Sequence, residues 1–205
     1  MTGSLRQKRA LEAPSPDLFD APAYPDGFSY QPELFSAADE TDYVARFQGL
    51  PFRPFEFHGY LGNRRIVAYG YQYDYGRRVL RQAEPIPDFL VPLLEVAARF
   101  TRLAPSRLQQ ALVTEYAPGA GIGWHRDKPM FEDVVALSFL APCVLRLRRR
   151  EPQGWARFSV PIQPRSGYVL RGPVRDIWEH SIAPMTVTRY SVTFRSFRLS
   201  HEDRT

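Results

Sequence analysis

The sequence predicts a mostly β protein with flanking helices, built as a double-stranded β-helix, or jelly roll. Three observations carry this. From Leu108 onward the chain breaks into about eight short runs rich in β-branched and aromatic residues. Turns marked by Pro118-Gly119, Pro152-Gln153-Gly154, Ser166-Gly167 and Gly172-Pro173 separate them. The preceding third of the chain carries two helical patterns, which fit as a layer packed on one side of the strands.

In chain order, residues 1–27 hold Pro14, Pro16, Pro22 and Pro25 among charges and show little periodicity, so a mobile arm is expected there. Residues 28–205 then form a single domain, divided into a preface (28–107) and a jelly-roll core (108–198). Ser36-Ala37-Ala38-Asp39 reads as a helix start with Ser36 as N-cap, and Gly49 ends that helix after Gln48. Phe55–Tyr60 and Arg65–Tyr75 read as strands. Pro85 and Pro87 introduce a second helix, with Phe89, Leu90, Leu93, Leu94, Val96, Ala97 and Phe100 at helical spacing. The core strands are expected at Gln110–Tyr116, Gly123–His125, Val134–Leu140, Val144–Arg150, Ala156–Pro161, Tyr168–Arg171, Trp178–Ile182 and Thr188–Phe197.

Composition removes several classes of protein. Hydrophobic residues make up 44% of the 205 and charged residues 24%, a globular balance that excludes a wholly disordered chain. No apolar run reaches the roughly 20 residues of a membrane span. The first residues carry cations without an apolar stretch behind them, so no secretory signal is expected and a cytoplasmic location fits. A single cysteine, Cys143, excludes an internal disulfide framework and a multi-thiolate metal site, and its apolar flanks mark it as a small core residue. With 27 Lys and Arg against 22 Asp and Glu, the net charge of +5 suits a polyanionic partner without demanding one.

The chain has four histidines: His58, His125, His180 and His201. His125 and Asp127 sit two apart in a strand-like stretch, so an imidazole and a carboxylate project to one face. His180 lies on a later strand that a jelly roll can bring opposite, across the barrel. Two imidazoles and one carboxylate form the facial triad of non-heme Fe(II) oxygenases. Against this stands the plain reading that a His-x-Asp arises by chance and that a histidine in a core is often only hydrogen-bonded. His58 and His201 read as surface or structural residues, and Trp124, opposite in parity to His125, as core.

Arg189, Ser191, Thr193 and Arg195 share one strand face; Tyr190, Val192 and Phe194 occupy the other. Two arginines facing a core need a counter-ion, which a dicarboxylate supplies through a bidentate pair. Tyr116 adds a hydroxyl. The competing reading is an edge strand with solvated arginines.

Taken together, Tyr116-Ala117-Pro118-Gly119, His125-x-Asp127, His180 and Arg189-x-Ser191-x-Thr193-x-Arg195 make the stretch 108–198 resemble the AlkB family of 2-oxoglutarate- and Fe(II)-dependent dioxygenases, and residues 56–76 resemble its nucleotide-recognition segment. The resemblance implies His125, Asp127 and His180 as iron ligands. It implies a 2-oxoglutarate clamp of Arg189, Arg195 and Tyr116, with Thr114, Ser191 and Thr193 beside it. It implies Fe(II), 2-oxoglutarate and O₂ as requirements, and removal of N-alkyl groups from nucleobases in DNA or RNA with release of formaldehyde, succinate and CO₂. Three departures stand out. Thr114 and Ser191 occupy positions where the family often has Asn, and shorter hydroxyls give a weaker or water-bridged clamp. Pro129 stands where repair members have an acidic residue that reads the damaged base.

On the substrate side, Arg64-Arg65-Ile66-Val67-Ala68-Tyr69-Gly70-Tyr71-Gln72-Tyr73-Asp74-Tyr75 mixes cations with aromatic rings that suit stacking on a flipped or single-stranded base. Arg65, Tyr69, Tyr71 and Arg149 are the expected contacts, with Tyr69 foremost; alternate tyrosines packing on a sheet give the other reading. The expected partner is alkylated nucleic acid, with no membrane, no stable protein partner and a monomeric chain. Two further readings stay open: a dioxygenase acting on a protein side chain, and a non-catalytic jelly-roll binding module.

Overall fold

A computed structural model describes residues 24–198 apart from 58, 59, 75 and 78. The elements run β1 (Phe28–Gln31), α1 (Ala37–Gln48), β2 (Arg53–Phe57), β3 (Tyr60–Tyr69), β4 (Tyr71–Asp74), β5 (Val79–Gln82), α2 (Val91–Thr101), β6 (Leu108–Tyr116), β7 (Ile122–His125), β8 (Phe131–Phe139), β9 (Cys143–Glu151), β10 (Gly154–Ile162), β11 (Gly167–Leu170), α3 (Gly172–Asp176), β12 (Glu179–Ile182) and β13 (Arg189–Phe197). All eight expected core strands are present. Gly172-Pro173, expected as a turn, instead opens the short helix α3, because Pro suits the first helical turn. The expected arm falls mostly on residues 1–23, outside the described residues, as do His58 and His201. Tyr24 packs its ring against Phe28 and Phe158.

α1 begins where a capping box satisfies two helix-end donors. The Ser36 hydroxyl accepts from the Asp39 N–H at 3.1 Å and the Asp39 carboxylate accepts from the Ser36 N–H at 3.0 Å. Such a cap stabilises a helix by about 1 kcal/mol. α2 carries Pro92 in its first turn and buries Leu93, Leu94, Ala97, Ala98 and Thr101.

The strands form a seven-stranded sheet ordered β1-β11-β8-β13-β6-β3-β2 and a four-stranded sheet ordered β10-β9-β12-β7, with β4-β5 as a separate ribbon. The pairings are antiparallel. Period-two alternation gives the large sheet two buried faces. Val113, Val135, Leu137, Tyr190, Val192 and Phe194 turn outward onto Phe47 of α1 and Leu93, Leu94 and Ala97 of α2. Tyr116, Val134, Ala136, Tyr168 and Leu170 turn inward and meet Leu145, Leu147, Val160, Ile162 and Ile182 of the small sheet. Cys143 lies in that inner core. The helices thus support one sheet from behind, and the gap between the sheets is left to hold a site.

Candidate active site

The small sheet pairs β12 directly with β7, and His180 stands opposite His125 in the register. The sequence placed these strands across the barrel from each other; they are neighbours in one sheet. The approach is close. A Cβ at Gly121 would meet the Ile182 carbonyl oxygen at 2.8 Å and the Pro184 nitrogen at 2.9 Å, so a side chain there would push the strands apart. Opposed residues of an antiparallel pair share a face, and the two imidazole centroids lie 4.2 Å apart. Asp127 follows just after β7, its Oδ2 3.7 Å from His180 Nε2.

The protonation states suit metal ligation. His125 Nδ1 lies 2.9 Å from the Gly123 carbonyl. A carbonyl only accepts, so Nδ1 carries the proton and the Nε2 lone pair is free. Burial, and then His125, push His180 down to about 3. Burial likewise lowers His125, against the pull of Asp127. Both rings are therefore neutral at physiological pH, the form that binds metal. Burial alone would raise Asp127, but Arg195, followed by His180, His125 and Arg175, holds its carboxyl well below the usual carboxylate range. As the side chains stand, no group of three His, Cys, Asp or Glu among the described residues is arranged to hold a metal ion. Asp127 divides its carboxylate instead, with Oδ1 accepting from Arg195 Nη2 at 2.9 Å while Oδ2 faces His180. Two neutral imidazoles and one anionic oxygen are a donor set that fits Fe(II).

The other notable side chain on the inner face is Arg189. It is 1% exposed, donates from Nη2 to Ser138 Oγ at 3.0 Å and lies over the Tyr116 ring at 5.2 Å. Its Nε and Nη1 are buried with no hydrogen-bond partner. A buried guanidinium without an anion costs several kcal/mol, and a carboxylate would satisfy both nitrogens at once. In the register Arg189 faces Tyr116, Ser191 lies between Thr114 and Ser138, and Thr193 lies between Leu112 and Ala136. The four expected positions on β13 thus share the inner face with Thr114 and Tyr116. Arg195 sits at the far end, held by Asp127 and by Gln110 Oε1 at 3.1 Å. It is engaged with the carboxylate of the expected ligand set and leaves only its Nε without a partner, while Arg189 leaves both Nε and Nη1.

The expected substrate contacts separate into two groups. Arg65 and Tyr69 turn to the helix side of the large sheet. Arg65 forms a bidentate pair with Glu115, both bonds 2.8 Å, and Tyr69 packs on the outer core. Their parity in β3, in register with Glu115 and Ala111, sends both away from the cavity. Tyr71 lies on the near side. Its carbonyl accepts from Gln110 Nε2 at 2.7 Å and its ring meets Phe197 edge-on at 4.9 Å. Lys128, next to Asp127, places its Nζ 4.6 Å from the Tyr73 ring centre. Arg149 continues the inner face of β9 beyond Leu147, pairs with Glu151 and lies over Trp178 at 5.1 Å. Trp124 is not core: it lies on the outer face of the small sheet, with Arg148 over its ring at 4.3 Å.

Sequence reasoning missed Ser138, Gln110, Tyr168 and Arg175. Ser138 was legible as a lone hydroxyl between Leu137 and Phe139 in an apolar strand. Tyr168 is buried, which raises its hydroxyl and keeps it a neutral donor near Arg189. Arg175 is buried in α3 and donates to the carbonyls of Lys128 and Phe131, pinning the segment after Asp127. A cavity of about 480 Å³ opens there, walled by Asp127, Lys128, Pro129 and Arg175 among others.

Comparison with known proteins bears on the family and the fold. A family model described as the 2OG-Fe(II) oxygenase superfamily matches residues 33–200. An Arabidopsis thaliana protein named alkylated DNA repair protein ALKBH8 homolog is 30% identical over 146 residues, covering 60% of this chain and 42% of that protein. A Xenopus tropicalis tRNA (carboxymethyluridine(34)-5-O)-methyltransferase, alkbh8, is 29% identical over 130 residues, covering 60% of this chain and 20% of that protein. The chain therefore spans less than half the length of these two curated relatives. Among solved structures, OsALKBH1 superposes with a TM-score of 0.62 at 18% identity, over 83% of this chain and 96% of that one. A Pseudomonas putida prolyl-4-hydroxylase superposes with a TM-score of 0.58 at 17% identity, over 84% of this chain and 93% of that one. These two show the shared jelly-roll fold.

Proposed function

The chain belongs to the 2OG-Fe(II) oxygenase superfamily and is a 2-oxoglutarate-dependent dioxygenase; from that premise we propose that it removes N-alkyl groups, methyl foremost, from nucleobases of DNA or RNA. The observation that carries the reading is the pairing of a two-imidazole, one-carboxylate cluster with a buried arginine that has two unused donors in the same inter-sheet gap. His125, Asp127 and His180 would hold Fe(II). Arg189 would grip the distal carboxylate of 2-oxoglutarate, with Ser138, Ser191, Thr114, Thr193 and Tyr116 supplying hydroxyls beside it. The bound iron, with 2-oxoglutarate and O₂, supplies oxidation of a C–H bond coupled to formation of succinate and CO₂. A hydroxylated N-methyl carbon then breaks from its nitrogen as formaldehyde.

The chain's own contribution is placement. Arg195 fixes the Asp127 carboxylate from behind, and the Gly123 carbonyl fixes the His125 tautomer. Arg175 fixes the backbone leaving Asp127. The large sheet's inner core keeps bulk water from Arg189, which strengthens its attraction for a carboxylate. Tyr71, Arg149 and the pair formed by Tyr73 with Lys128, the residue that follows Asp127, are the proposed contacts for a base and its phosphates. The nucleic-acid assignment draws on the alkylated-DNA and tRNA relatives, on the net charge of +5 and on these aromatic and cationic side chains.

The test is a mass-shift assay on N-methylated single-stranded DNA and RNA and on a methylated peptide set, with iron and 2-oxoglutarate. Loss of a methylene mass from an oligonucleotide, matched by formaldehyde, is expected. A mass change confined to the peptides would move the substrate to protein.

A further inference from the structure

The outer face of the small sheet is unlike the rest of the surface. Arg146, Arg148 and Arg150 of β9 alternate with the buried Leu145 and Leu147 and so point away from the core. Trp155 and Arg157 of β10 face the same way. The register sets Arg157 opposite Arg148 and Trp155 opposite Arg150. Two indoles interleave with the guanidiniums. Arg148 lies 4.3 Å from the Trp124 ring centre and 4.2 Å from that of Trp155, Arg146 is 5.3 Å from Trp124, and Arg150 is 5.4 Å from Trp155.

The charges on this face do not balance. Glu179 pairs with Arg148 at 2.6 Å, and Arg146 Nε donates to Ser181 Oγ at 3.1 Å. Among the described residues no carboxylate lies within ion-pair distance of Arg146, Arg150 or Arg157. Like charges directly opposed across strands, as Arg148 and Arg157 are, destabilise a sheet. The indoles hold the cations flat and in place, at the entropic cost of ordering long side chains. An external polyanion offsets both costs.

We infer that this face binds the backbone of a single-stranded nucleic acid outside the catalytic gap. Same-face residues on a strand recur about every 6.6 Å, a spacing that an extended phosphodiester chain can follow. Half-exposed indoles between cations offer the sequence-tolerant stacking surface that bases use. Duplex fits less well, because its bases are already stacked. The position also suits a tether. Glu179 and Ser181 face outward on the strand whose His180 faces in, and β7 is the edge of this sheet. A strand laid on the outer face has one edge to turn before reaching Asp127. The inference rests on the nucleic-acid reading only for the choice of polymer, and it asks nothing of the iron site.

The experiment measures anisotropy of labelled, unmodified 12-nucleotide oligo(dT) and oligo(U) with the whole chain across a salt series. Salt-sensitive binding is expected. Arg150→Ala with Arg157→Ala, both at exposed positions, should weaken it about tenfold and flatten the log–log salt slope by about 1.4, two phosphates at roughly 0.7 each for a single strand. Arg150→Lys with Arg157→Lys should keep the wild-type slope, and Trp155→Ala should weaken binding without changing it. His125→Ala should bind as wild type, which separates this face from the proposed reaction. Wild-type binding by the double alanine variant, with an unchanged melting temperature, would overturn the inference. So would equal binding of poly-glutamate of the same charge.

Discussion

On one side of β13, Tyr190, Val192 and Phe194 fill the layer under α1 and α2; on the other, Arg189, Ser191, Thr193 and Arg195 face the gap between the sheets. The outward side is complete within the chain. Phe194 and Val192 are fully buried among apolar neighbours, and Tyr190 donates its hydroxyl to Glu115 at 3.3 Å. The inward side ends in a guanidinium with two unused donors. One strand thus divides its residues by parity, with the even-numbered positions packed into the helix-side core and the odd-numbered ones turned to the gap proposed to hold the ligand. The large sheet tolerates the uncompensated arginine because the helix-side core supplies the stability that the inner face does not.

That division predicts opposite signatures for substitutions on the two faces of the same strand. The largest effects belong to the cluster. His125→Ala, Asp127→Ala and His180→Ala should each abolish coupled succinate formation, the two histidine variants with a thermal midpoint near wild type and Asp127→Ala with a lowered one because it leaves the part-buried Arg195 without its anion; turnover in all three would remove the metal assignment. Next, Phe194→Ala should cost about 3–5 kcal/mol of stability by opening a cavity, read by denaturant unfolding. The protein that stays folded should keep wild-type 2-oxoglutarate affinity. Arg189→Met reverses the pattern. The affinity for 2-oxoglutarate should fall on the order of 100-fold, about 2.7 kcal/mol, while the ligand-free protein gains stability of about 1–4 kcal/mol, because a buried unpaired charge is replaced by an apolar chain of similar shape. A destabilised Arg189→Met would show that the guanidinium is structural.

Smaller effects sharpen the boundary between the faces. Tyr69→Ala should lower stability and leave oligonucleotide turnover per folded molecule unchanged, since Tyr69 packs on the helix side. At the far end of the outer layer, Ser36→Ala should cost about 1 kcal/mol. The Asp39 half of that capping box is pH-dependent. The Ser36 hydroxyl, and then the Ser36 backbone N–H, lower the Asp39 carboxyl. Its contribution is complete above the ordinary carboxylate value and is lost as pH falls through the lowered one. Asp39→Asn should flatten that part of the acid unfolding curve.

Much of this was legible in the residues. Alternation located every core strand, and the Ser36-x-x-Asp39 pattern located α1 to the residue. The inward set on β13 was correct because parity within one strand is a local property. What failed was parity between strands. Arg65 and Tyr69 lie four apart in β3, so they share a face, but no local pattern says which face is the cavity; that is fixed by the pairing of Arg65 with Glu115 and Tyr69 with Ala111 in β6. The adjacency of β7 and β12 was hidden for a related reason, because a crossover connection leaves no periodic trace. Trp124 was read as core because opposite parity to a cavity residue was taken to mean a second core. Among the described residues no helix lies behind the small sheet, and Trp124 is only part-buried on its outer face.

The account depends on His125, Asp127, His180 and Arg189 acting as one site. Anaerobic titration with Fe(II) and then 2-oxoglutarate, followed by visible absorbance, tests this most directly. A keto-acid-dependent band saturating at one iron per chain is expected for the wild-type protein. It should be absent in His180→Ala and require on the order of 100-fold more 2-oxoglutarate in Arg189→Met. An unaltered band in both variants would contradict the account.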